Sequence, residues 1–174
     1  MKKITAYEIA LSALACAIAT LCLTVGVYSE ILLFTGYLLG SIALMLPLAK
    51  HSFRGYILAY LASCILSTLF SVARFWEILP FIVFFGLHPL VNELQLKSKI
   101  NRWLACALKA VWFDGAMLLI WWLIFQMTAP IAGMEKFMIP IILVLGSAFF
   151  VLYDYLMYRW RALVNNLVAR ISKK

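Results

Sequence analysis

Three charged side chains, Lys109, Asp114 and Asp154, stand inside long apolar runs of this sequence. An Asp or Lys at the centre of a membrane-spanning helix costs about 2.5–3.5 kcal/mol on an insertion scale, so each such residue needs a reason. Lys109 lies two turns beyond Arg102, about 10 Å into its run by the helical rise. Its stem is long enough to snorkel toward the nearer surface. Asp154 sits at a comparable depth in a second run, one turn before the basic carboxyl end. This placement makes Lys109 and Asp154 a structural ion pair that holds two helices in register, with a transport role as the alternative. Asp114 is deeper and too far round its helix to meet Lys109. It is expected to be satisfied by serines of the third apolar run (Ser63, Ser67, Ser71) or to be protonated. Contact with a solute, or coupling, is the alternative.

A second group gathers at the other ends of the runs: Tyr28, Glu30, Tyr37, Arg74, Trp76, Glu77, Trp122 and Gln126, with Trp121 beside them. Aromatic residues at a bilayer boundary form an interfacial belt. Aromatic walls with a few oriented polar groups also suit a small-molecule pocket. In that case Arg74 offers a fork for a carboxylate or phosphate. Nothing else suggests chemistry on the chain itself. His51 and His88 have no carboxylate or thiol nearby in sequence, and HExxH, GxSxG and a P-loop are absent. The expectation is therefore no enzyme and no cofactor, and a chain without an ATPase of its own. A membrane enzyme would instead require His88, Asp114 or Asp154 to converge within hydrogen-bond reach. Cys16, Cys22, Cys64 and Cys106 all lie in apolar runs without metal-ligand spacing, which makes them packing residues.

The elements that must position these residues follow from composition. The chain is 66% hydrophobic and 13% charged; soluble domains average about half and a quarter. A span needs roughly 20 apolar residues, and six segments qualify: 5–25, 30–49, 55–73, 75–91, 103–127 and 138–158. The fourth is the shortest and is interrupted by Pro80, Gly86 and Pro89. Runs without alternation predict helices, so the fold is an all-α six-helix membrane bundle in a single domain, 1–174. Lys2 and Lys3 precede a first helix that is retained rather than cleaved as a signal peptide. Basic clusters then recur after the second, fourth and sixth spans (Lys50 and Arg54; Lys97, Lys99 and Arg102; Arg159 to Lys174). The opposite side carries only Arg74 and Lys136, beside Glu30, Glu77 and Glu135. By the positive-inside rule both termini are cytoplasmic, in a multi-pass membrane protein. The net charge of +8 reports this orientation, and no nucleic-acid partner is expected. Residues 159–174 form a basic amphipathic extension of the sixth helix, or one that lies along the inner surface of the bilayer. Small residues four apart mark close helix packing: Gly36 and Gly40 in the second helix; Ala59, Ser63, Ser67 and Ser71 in the third.

The first helix carries a comparable stripe, Ala6, Ala10, Ala13 and Ala17, after the opening Glu8-Ile9-Ala10. With the six spans and the cytoplasmic ends, this alanine-rich surface resembles the substrate-binding (S) components of energy-coupling factor (ECF) transporters. In that family an AxxxA face of the first helix docks on a membrane scaffold subunit. The resemblance implies uptake of a small solute, a vitamin or related metabolite, bound in an outward pocket. Two cytoplasmic ATPase subunits in other chains would supply the energy. Tyr28, Glu30, Tyr37, Arg74, Trp76, Glu77, Trp122 and Gln126 would then contact the solute, and Ala6, Ala10, Ala13 and Ala17 the scaffold. The rival reading is a polytopic scaffold of a cell-envelope complex, similar to MreD, which would need no pocket.

Overall fold

The computed structural model of the protein describes residues 5–98, 100–127 and 139–171. Among them every regular element is helical and no strand occurs. Helix α1 (Ala6–Tyr28) starts at a capping box. Glu8 N donates to Thr5 Oγ1 at 3.3 Å, and Thr5 N donates to Glu8 Oε2 at 2.7 Å. Two of the helix's otherwise orphaned N–H groups are satisfied in this way. From there Leu11, Ala15, Ala19, Leu23 and Val27 form a buried row at four-residue spacing, one face of the helix.

Helix α2 (Leu33–Leu48), entered through a 3-10 turn at Glu30–Leu32, lies against α1. A Cβ on Gly36 would stand 2.6 Å from the Cys22 carbonyl oxygen and 3.3 Å from the Gly26 Cα. Glycine is required there for two backbones to approach so closely. Helix α3 (Phe53–Phe70) docks on α1 in the same manner. A Cβ on Gly55 would meet Ser12 Oγ at 2.4 Å, and Ala59, Ser63 and Ser67 lie buried on the same face.

The fourth apolar run is a broken element rather than one helix over 75–91. A 3-10 segment (Val72–Ile78) leads through Pro80 into a π-helical turn (Phe81–Phe85) and then into α4 (His88–Lys97), with a bend of 44° between the two halves. Breaking a helix in an apolar setting orphans carbonyls, and these need donors from elsewhere. Pro89 has no N–H to give the Phe85 carbonyl; Ser41 Oγ of α2 donates to it at 2.7 Å. Tyr60 of α3 donates to the Ile82 carbonyl at 2.6 Å, Tyr56 of α3 to the Gly86 carbonyl, and Tyr37 of α2 to the Glu77 carbonyl. The bent run is fastened along its length by hydroxyls from its neighbours.

Helix α5 (Arg102–Met127) follows. Helix α6 (Ser147–Ile171) is entered through a second π turn, Ile142–Gly146. The basic extension continues α6 without a break, and Val164 and Val168 turn back into the core. Phe84 sits at the centre of that core. Its ring lies within 4.7–6.0 Å of Trp112, Phe113, Phe150, Tyr153 and His88.

By length and apolar composition, α1, α3, α5 and residues 139–171 can each cross a bilayer, and the bent pair supplies a fifth span if it is taken as one. Helix α2, at 16 residues, is shorter. The protein is thus all-helical, with several helices suited to a multi-pass membrane protein.

Three cation–π contacts gather basic residues at one end of this bundle. Lys50 lies over Tyr7 (5.4 Å), Lys97 over Phe53 (4.0 Å) and Arg102 over Tyr158 (5.3 Å). Lys2, Lys3, Lys99, Glu135, Lys136, Lys173 and Lys174 lie outside the described residues.

Candidate functional site: a buried polar ring at the basic end

Helix α4 places His88 and Asn92 one turn apart on one face, α5 brings Lys109, and α6 brings Asp154. All four are buried; His88 is 0% exposed and Lys109 4%. Lys109 Nζ donates to Asp154 Oδ1 at 2.5 Å and to Asn92 Oδ1 at 2.8 Å. Lysine can only donate, so Asn92 must turn its oxygen to Lys109 and its amide N–H toward His88 Nδ1, which lies 3.4 Å away. His88 Nδ1 is therefore an acceptor, and the proton of the neutral ring belongs on Nε2. Nε2 lies 3.0 Å from Asp154 Oδ1, bent away from the line of a strong hydrogen bond. The four side chains close a ring His88–Asn92–Lys109–Asp154 that is neutral when the imidazole is neutral.

A second pair lies on the same helices. Arg161, seven residues along α6 from Asp154, donates from Nε to Glu93 of α4. Each buried carboxylate has its own cation. Removing either partner would leave an uncompensated charge, which costs far more than the intact pair contributes.

This geometry also limits the chemistry open to the ring. His88 and Asp154 do converge, as a membrane enzyme would require. Yet one imidazole nitrogen faces the Asn92 amide and the other faces a carboxylate that Lys109 already holds. The arrangement ties three helices together.

Among residues singled out from sequence, Lys109 and Asp154 are thus brought into contact. Asp114 finds Ser147 of α6, whose hydroxyl donates to Asp114 Oδ2 at 2.7 Å, in place of the expected serines of α3. Those serines face inward elsewhere, and Ser67 and Ser71 have no hydrogen-bond partner for their hydroxyls.

The expected solute contacts are spent largely on backbone. Arg74 Nη1 donates to the Val27 carbonyl at 2.9 Å, at the end of α1, and its Nε stands 3.8 Å from Glu77 Oε1. The Tyr28 hydroxyl donates to the Phe70 carbonyl at 2.9 Å. Trp76 packs edge-on against Phe75, and Trp122 is exposed. The side chains of Glu30 and Gln126 lie outside the described residues. Tyr37 lines an open apolar cleft of about 360 Å³ with Phe34, Pro80, Phe85, Phe113 and Phe149. Ala6, Ala10, Ala13 and Ala17 are exposed on α1, on a different face from its buried row.

Sequence reasoning missed Asn92, Glu93 and Arg161, and left His88 without a partner. One signal was present: His88, Asn92 and Glu93 place three polar groups within two turns of an otherwise apolar stretch. No family model, curated protein or solved structure matches this chain.

Proposed function

We propose that the chain is a six-span protein of a prokaryotic plasma membrane, with both ends cytoplasmic. In this reading it serves as the substrate-binding subunit of an ECF-type importer and docks through α1 on a scaffold subunit driven by separate ATPases. One observation carries the reading. Helix α1 has two alanine rows, and only one is used inside the protein. Ala15 and Ala19 are buried, whereas Ala6, Ala10, Ala13 and Ala17 face outward. The outward positions of α3, by contrast, carry large side chains such as Leu58, Leu61, Ile65 and Leu69. An outward row of small residues suits close approach by a partner helix, because van der Waals contact between backbones drives association in lipid. Beside it, Ile9, Ala13 and Cys16 of α1 and Gly55, Leu58 and Ala62 of α3 line an apolar groove of about 280 Å³. On this reading the solute would enter the cleft beside Tyr37.

Replacing Ala10 or Ala13 by Trp tests the docking face. Each variant is expected to fold with wild-type thermal stability and to lose co-purification of a scaffold and ATPases from the native membrane. Retention of those partners by both variants would remove α1 from the interface. A second reading, a polytopic envelope scaffold, is favoured by the commitment of Arg74, Tyr28 and Tyr37 to backbone carbonyls. Mass spectrometry of the purified complex separates the two: a bound metabolite with ATPases supports import, and cell-envelope proteins alone support the scaffold.

A further inference from the structure

The apolar hollows between the helices of this bundle are not alike. The groove between α1 and α3 (about 280 Å³) has aliphatic and small side chains for walls, such as Leu58 and Ala62. A smaller one between α1 and α2 (about 200 Å³) has Leu21, Val25 and Gly26. Neither is lined by a ring. The Tyr37 cleft, at about 360 Å³, is lined chiefly by rings: Phe34 and Tyr37 of α2, Phe85 of the bent run, Phe113 of α5 and Phe149 of α6, with Met117 beside them. Seating a lipid acyl chain requires no more than the aliphatic walls of the other two.

Three observations describe the occupant of such a cleft. First, its walls offer no polar atom. The groups that could have done so are turned away: the Tyr37 hydroxyl donates to the Glu77 carbonyl, and the Phe85 carbonyl accepts from Ser41 Oγ at 2.7 Å. A charged group placed here would give up its water and gain no partner, so the occupant is uncharged. Second, the rings present both faces and edges. Tyr37 and Phe85 stack at 5.1 Å, while Phe34 meets Phe149 edge-on at 4.5 Å and so joins α2 to α6. A planar ring can answer both with its own edge and face, and the Met117 thioether favours ring contacts as well. Third, the two π turns among the described residues both border this cleft. Phe81–Phe85 supplies Phe85, and Ile142–Gly146 stands one turn before Phe149. A Cβ on Gly146 would lie 3.3 Å from the Phe113 ring, so the second turn bears directly on a wall residue. Single π turns inside helices are frequent at functional sites, and two of them, far apart in sequence, converge here.

We propose that the Tyr37 cleft binds an uncharged, planar ring system. Its volume lies near the lower end of the roughly 300–1,000 Å³ range of small-molecule sites, which suits a compact fused ring. The inference rests on the reading of this cleft as the place where a solute enters, and it narrows that solute to a sparingly water-soluble ring compound.

The full chain in phosphatidylcholine nanodiscs tests it by equilibrium dialysis, with protein-free discs as the baseline. The probes are naphthalene, its saturated counterpart decahydronaphthalene, and the charged 2-naphthoate. Naphthalene is expected to be held above the baseline and about 10-fold more tightly than decahydronaphthalene, the equivalent of about 1.4 kcal/mol. 2-Naphthoate should show no excess over the baseline. Phe34→Leu and Phe149→Leu each remove a ring while keeping an apolar side chain. Each should cut the preference by at least half, and the double variant should erase it. Phe34 is 39% exposed at the rim, so its replacement leaves the core intact and decides alone should the double variant not fold. No excess of naphthalene, or equal retention of naphthalene and decahydronaphthalene by the wild type, would overturn the assignment. So would retention of 2-naphthoate as tight as that of naphthalene, or an undiminished preference in Phe34→Leu. These results are read on the chain alone. A complex that purifies without ATPases would end the import reading and leave them standing, whereas ATPases that co-purify with a chain lacking the preference would end the ring assignment only.

Discussion

The two ends of the bundle use polar side chains in opposite ways. At the basic end, His88, Asn92, Lys109 and Asp154 bond to one another, with Arg161 and Glu93 alongside, all joining helices that are distant in sequence. At the other end, Arg74, Tyr28 and Tyr37 each donate to a main-chain carbonyl, of Val27, Phe70 and Glu77 respectively. A side-chain ring is stable only when every member is present, because each removal strands a buried partner. A side chain that caps a helix end or a break can be lost at the cost of one bond, and water or a headgroup can replace it at an accessible end. The first kind of construction fixes which helices pair. The second finishes ends that a membrane interface would partly satisfy anyway.

This contrast predicts a graded series of losses in detergent-solubilised protein. The largest belongs to Lys109→Met, which leaves Asp154 buried without its cation and should cost about 3–5 kcal/mol in equilibrium unfolding. Adding Asp154→Leu to it should restore part of that stability, because the stranded charge is removed while Asn92 and His88 stay buried without their partners. A double variant no better than the single one would show that the ring contributes more than mutual charge cancellation. Next comes Arg74→Ala, expected to cost about 1.5–3 kcal/mol through the lost charged hydrogen bond to Val27. If solute binding falls by more than the stability loss explains, Arg74 serves a ligand as well as a helix end. The smallest belongs to Tyr28→Phe. It removes one exposed hydroxyl bond and should cost about 0.5–1 kcal/mol, read as a small shift in the thermal midpoint.

The all-helical architecture was legible because bilayer-scale apolar runs are one-dimensional signals. The positions of α1, α3 and α5 follow them within a few residues. Pro80, Gly86 and Pro89 also marked where the fourth run would break. What they could not convey is how the break would be repaired, since its donors Ser41, Tyr56 and Tyr60 lie 22 to 44 residues away. The same limit applied to the ring. Lys109 and Asp154 stood out because each is a lone charge in an apolar run, and rarity alone paired them. Asn92, Glu93 and Arg161 sit where polar residues look like ordinary helix-end decoration, and only the folded path of α4 beside α6 gives them partners. Asp114 failed for a related reason. Depth along its helix was readable, but its rotation toward Gly146 and Ser147 instead of α3 was not.

The π turn between Pro80 and Gly86 has the outward form of a joint. Yet Ile82, Phe85 and Gly86 are riveted through their oxygens to Ser41, Tyr56 and Tyr60. The elbow is therefore set, and α2, α3 and the bent run should travel as one block. Any gating stroke that slid this block past α5 would shear the contact between Asn92 and Lys109, which makes their separation the natural gauge of such a movement.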